Sequence, residues 1–112
     1  MTIAFELMGK TVAFTGATSA PTAVQCPADN NVPCSQYVLT NTGAVVAYFA
    51  WGQNANMAAQ RAVIPAAAGA SGYGYPVLPG TKEIVTAGVG AFFTAITGSS
   101  TALCLVSPGV EK

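Results

Sequence analysis

The residues able to do chemistry in this 112-residue chain are few and far apart. It contains no histidine, which removes every Ser–His, Cys–His and His–metal arrangement. Its four carboxylates are Glu6, Asp29, Glu83 and Glu111, and only Glu6 with Glu83 could pair for acid–base work, if folding brought them together. Asp29-Asn30-Asn31 makes a start on the clustered oxygens a Ca²⁺ ion needs, but reads more simply as a polar loop tip. Gly69, Gly72 and Gly74 have no following helix or lysine, so they form no phosphate cradle. The expectation is a protein that is not an enzyme and takes no cofactor.

Three cysteines remain. Cys26 and Cys34 flank Pro27 to Pro33, while Cys104 falls inside an apolar run. Met1 to Lys10 starts as a strand and lacks the basic region and apolar core of a secretory signal. Reduced thiols are therefore expected, with a Cys26–Cys34 bridge as the open alternative. Without histidine or a closely spaced cysteine pair, no metal site is expected.

Among the aromatic residues, Phe49 and Trp51 share a face at strand spacing and read as core. Tyr73 and Tyr75 sit among glycines in a loop and are better placed to touch a partner.

The charge count constrains function most. Four basic and four acidic residues cancel, and only 7% of the chain is charged, against roughly 25% in ordinary soluble domains. No charge falls between Asp29 and Arg61, and none between Glu83 and Glu111. That excludes a basic footprint for nucleic acid and a basic amphipathic helix for a membrane surface. The uncharged runs are cut by Gly, Pro and Thr before reaching the ~20 apolar residues of a spanning helix. A near-neutral, apolar exterior favours association unless it is already an interface. Much of this surface is therefore expected to be covered by partners.

The elements that must position these residues read as strands, and the length suits one domain over residues 1–112. Ile3 to Leu7 alternates, with Ile3, Phe5 and Leu7 on one face. Gly9-Lys10 turns into a second strand, Thr11 to Thr15. Gly16 to Pro21 is a loop and Thr22 to Cys26 a short strand. Ser35 to Thr40 and Val45 to Trp51, joined at Asn41-Thr42-Gly43, read as a β-hairpin. Gly52 to Arg61 reads as loop with at most one helical turn, for want of a cap. Ala66 to Gly74 is an Ala/Gly/Ser-rich exposed loop. Tyr75-Pro76-Val77-Leu78-Pro79-Gly80 leads into strands at Thr81 to Thr86, Ala91 to Thr97 and Thr101 to Ser107, closed by Pro108-Gly109. The fold class is all-β, an antiparallel β-sandwich.

The C-terminal strands are apolar on both faces. Phe93 and Ala95 oppose Phe92 and Ile96; Leu103 and Leu105 oppose Ala102, Cys104 and Val106. A sandwich strand has one inward face, so the other must lie under a loop or another chain. Phe93 and Leu105 are assigned to the core. Phe92, Ile96 and Val106 are assigned to a contact face, with Tyr73 and Tyr75 beside them.

Val38-Leu39-Thr40-Asn41-Thr42-Gly43, Val45 to Gly52, Pro76 to Ile84, Phe92 to Ile96 and Thr101 to Gly109 resemble small virion proteins of tailed phages. The likeness spans roughly residues 36 to 110, and the chain is similar to the head decoration proteins, also called cement or staple proteins, of short-tailed phages. It implies a jelly-roll-like sandwich, made in the host cytoplasm and bound to the capsid exterior, that bridges major capsid protein subunits as a homodimer or homotrimer. The absence of histidine removes the cupin chemistry that a jelly roll otherwise invites. Two alternatives stand beside it. One is a carbohydrate- or receptor-binding module of a tail fibre, using Tyr73, Tyr75 and the Asp29 loop; the other is a head–tail connector component.

Overall fold

A computed structural model describes residues 5–7, 9–26, 35–65 and 68–111. In chain order the elements are β1 (Phe5–Leu7), β2 (Val12–Gly16), β3 (Val24–Gln25), β4 (Gln36–Asn41), β5 (Ala47–Gly52), α1 (Ala55–Arg61), β6 (Tyr75–Val77), β7 (Lys82–Thr86), β8 (Phe92–Thr97) and β9 (Ala102–Glu111). The Asp29 loop tip and Cys34, hence the question of a Cys26–Cys34 bridge, lie outside the described residues.

The pairing is nested. β2 pairs with β9, β3 with β8, β4 with β7 and β5 with β6, all antiparallel. That is one long double-arm ribbon, rolled up so that β4 also meets β9 and β5 also meets β8. Rolling yields two sheets. The front sheet runs β2-β9-β4-β7, with β1 taking over from β2 along the far half of β9; the back sheet runs β3-β8-β5-β6. This is a jelly-roll sandwich, the expected class.

Alternation along the strands builds the core between the sheets. From the front sheet come Phe14, Tyr37, Leu39, Cys104 and Val106; from the back come Ala47, Phe49, Val77, Phe93 and Ala95. Aromatic edges lock the layers together: Tyr37 meets Phe93 at 4.8 Å between ring centroids, and Phe14 meets Phe49 at 5.9 Å. Both are edge-to-face pairs, the arrangement ring quadrupoles favour. Trp51 packs half-buried against the same core, on the face it shares with Phe49.

Three expectations are corrected. First, Ser35 to Trp51 is not a hairpin: β4 lies in the front sheet and β5 in the back. Asn41 makes the corner. Its buried side chain accepts from the Gly43 N–H at 2.9 Å and donates to the Val45 and Val77 carbonyls at 2.8 and 2.9 Å. The amide thus satisfies groups that a hairpin would have paired across a ladder. Second, Val106 is fully buried and Leu105 points outward, the reverse of their assignment. In the register of β9, Val106 stands beside Val12 and Leu39, whereas Leu105 stands beside Ala13 and Thr40. Both faces of this strand are apolar, so composition did not say which turns inward. Third, β9 continues through Pro108-Gly109. Ser107 and Pro108 fall where β2 gives way to β1, so one flank lacks a ladder partner there, and a residue without an N–H is tolerated at such a break.

The helix has a cap that the sequence reading missed. Asn54 is extended, and its side-chain oxygen accepts from the Met57 N–H at 2.8 Å, holding one of the first turn's orphan donors. Among the described residues no helix is long and apolar enough to cross a membrane.

Candidate interaction surface

The two sheets present very different exteriors. Outside the back sheet, α1 lies across β5 and β8. It buries Ala58 and Ala62 of its own face and covers Ala50 and Thr94. The approach is close: a Cβ on Gly52 would stand 2.7 Å from the Met57 side chain, so only glycine fits. Thr94, buried on that outer side, donates its hydroxyl to the Pro21 carbonyl at 2.8 Å. The segment between β2 and β3 also fills the flank of β8, where the Thr97 N–H reaches the Ala17 carbonyl at 2.9 Å.

Nothing in the described chain crosses the front sheet's exterior. Cross-strand register arranges its side chains in rows, one running Ala13, Leu105, Thr40, Lys82 and the next Thr11, Ser107, Val38, Ile84. Leu7 is 58% exposed, Leu103 48% and Ile84 40%. A shallow depression of about 500 Å³ is lined by Leu7, Thr11, Val38, Thr40, Lys82, Ile84 and Ser107. Among those residues Lys82 alone carries charge, and Thr11 and Ser107 satisfy one another at 2.7 Å between their hydroxyl oxygens. Such a surface offers apolar area and short hydroxyls, which suits a partner surface.

The sequence-derived contact residues separate in space. Phe92 and Ile96 are half-exposed on the back exterior, either side of the covered Thr94. Val106 belongs to the core. Tyr73 lies on the connection from α1 to β6, and Tyr75 on the edge strand β6, its ring 6.1 Å from that of Trp51. The Tyr75 hydroxyl donates to Glu83 Oε1 at 3.3 Å, tying β6 of the back sheet to β7 of the front. Partial burial, and then the neighbouring Glu83 carboxylate, push this phenol above its ordinary 10.0, so it keeps its proton and stays a donor. Leu7, Val38, Ile84 and Leu103, which dominate the bare face, were not assigned to a contact face in sequence. The available signal was the alternation of β4, where Val38 falls in register with Gln36 and Thr40.

No group of three or more His, Cys, Asp or Glu side chains capable of holding a metal occurs among the described residues. Cys104 is a buried thiol, and burial raises its pKa, so it is a poor nucleophile.

No family model matches the chain, and no curated protein sequence matches it. Among solved structures, the crystal structure of PirA is similar over 88% of this chain and 92% of that one, at 15% identity and a TM-score of 0.46. At that distance the likeness says nothing of activity.

Proposed function

We propose that this protein is a non-enzymatic virion structural protein, a decoration or cement protein that bridges major capsid subunits of a tailed phage from outside. The observation that carries the reading is the bare front face, an exposed apolar sheet on a nearly charge-free chain whose back face is covered by its own helix and loop. Large exposed apolar patches on small domains mark interaction sites. The resemblance of residues 36 to 110 to head decoration proteins supplies the partner. Self-association into a dimer or trimer places several copies of the face around one symmetry axis. Weak single contacts then suffice, because repetition over a closed shell supplies avidity.

A cement site exists only where capsid subunits meet, so binding stabilises the assembled shell by mass action. Apolar contacts also persist in high salt, which screens charge pairs between exposed groups. The test is to heat capsids lacking the protein, with and without adding it back. Rupture should move to higher temperature on addition, and Ile84→Glu or Val38→Glu should abolish the shift while leaving the free protein folded. Identical rupture temperatures with and without the protein, or stoichiometric binding to unassembled subunits, would remove the cement role.

A further inference from the structure

Away from the front face, the chain between α1 and β6 builds a second organised cluster. Arg61 closes α1, and its guanidinium carbon stands 5.2 Å from the centroid of the Tyr73 ring. The same guanidinium donates to the Trp51 carbonyl at 3.3 Å, which fixes its direction. A guanidinium has five N–H donors, and among the described residues no carboxylate meets those that remain. The Tyr73 ring is 74% exposed and offers most of its surface to solvent.

The loop carrying that ring is held, not merely exposed. The Gly74 N–H donates to the Val63 carbonyl at 3.1 Å, and a Cβ on Gly74 would come within 2.6 Å of that oxygen, so the approach requires glycine. Val63, Ser71, Gly72 and Tyr73 line a depression of about 450 Å³ beside it. That falls in the size range of small-molecule sites.

We infer that Arg61, Tyr73 and Ser71 form a binding site for an acidic pyranose, a sugar ring bearing a carboxylate. Each part of the ligand has its counterpart. The flat C–H face of the ring lies on the Tyr73 aromatic surface. The carboxylate takes the guanidinium's remaining donors as a fork, a geometry that lysine does not reproduce. Ser71 lines the adjoining depression and supplies a hydroxyl for one of the sugar's own. This site is independent of the capsid contact and lies on a different side of the sandwich.

The experiment is a titration of the full-length protein at low salt, followed by amide and arginine side-chain NMR, with glucuronate, glucose and acetate in separate series. Glucuronate should give saturable shifts at residues 71–74 and at the Arg61 guanidinium, with affinity roughly in the millimolar range, and glucose and acetate should each bind about tenfold more weakly or less. Arg61→Lys should lower glucuronate affinity by about tenfold. Tyr73→Ala should abolish binding and Tyr73→Phe should retain it; neither replaces a buried side chain, so both should fold. No saturable response to glucuronate, equal affinity for glucose or acetate, or undiminished binding by Tyr73→Ala would each overturn the assignment. Capsid stabilisation by Arg61→Lys should equal that of the parent protein, so failure of this site and failure of the cement role are read separately.

Discussion

The front and back sheets are built from the same kinds of strand, yet one exterior is closed and the other open. On the back, a seven-residue helix capped by Asn54 is laid over Ala50 and Thr94, with the Pro21 carbonyl taking the threonine hydroxyl. On the front, leucine, valine and isoleucine stand in solvent beside threonine and serine. Apart from Lys82 and Gln36 on the front and the ring of Tyr48 on the back, the outward residues of both sheets are mostly apolar or small, so composition does not separate them. What separates them is which connection is long enough to fold back. The chain between β5 and β6 and that between β2 and β3 both lie over or beside the back sheet. A surface already covered is spent on stability; a bare one is available for association.

The contrast can be broken by charge. Ala50→Lys places an ammonium beneath α1 and should cost on the order of 3–4 kcal/mol in denaturant melts, by burying a charge or displacing the helix. Ile84→Lys on the bare face should change stability by no more than about 0.5 kcal/mol. Equal losses at the two positions would mean that the front face is also covered in the free protein.

Smaller changes sharpen it. Thr94→Val keeps the shape but strands the Pro21 carbonyl, and should cost about 1–2 kcal/mol by the same measurement. Asn54→Ala removes the helix cap and should cost about 1 kcal/mol, with loss of hydrogen-exchange protection confined to α1 and the strands beneath it. A cap variant that melts like the parent would show that packing on β5 holds the helix unaided.

The weakest expected effect tests the inside-outside assignment of β9 through pH. Burial raises the Cys104 thiol above its ordinary 9.0, partly offset by a hydrogen bond from the Gly16 backbone. The folded state therefore holds this proton more tightly than the unfolded chain. The resulting stability is full below about pH 9 and is lost as pH rises toward the folded-state value. Cys104→Ala should be less stable than the parent at pH 7, and the gap should narrow above pH 9 in melts at a series of pH values. A gap constant with pH would place the thiol in contact with water.

Much of the fold was legible in sequence because strands announce themselves by period-two alternation and by the turns between them. Every strand except β3 and β6 is long enough, or apolar enough, to show its pattern; β6, three residues around Pro76, has no alternation to read, and the core role of Phe49 and Phe93 followed from alternation in β5 and β8. The lack of histidine and the scattering of the carboxylates along the chain likewise bound the chemistry from sequence. Sheet membership was not legible. Ser35 to Trp51 carries every local mark of a hairpin, including Asn41-Thr42-Gly43, yet Asn41 bonds to Val77, a residue of the opposite sheet and 36 positions on. A turn sequence specifies that the chain reverses or bends; which strand it meets afterwards depends on partners far away. The inward face of β9 was undetermined for a related reason. Leu105 and Val106 are equally apolar, and only the register against Leu39 and Thr40, fixed by the rest of the front sheet, turns one in and the other out. The two-sided apolar pattern did show that some faces would be covered. That the described connections cover the back and leave the front bare is a property of how they run in three dimensions, and local residue preferences carry no record of that.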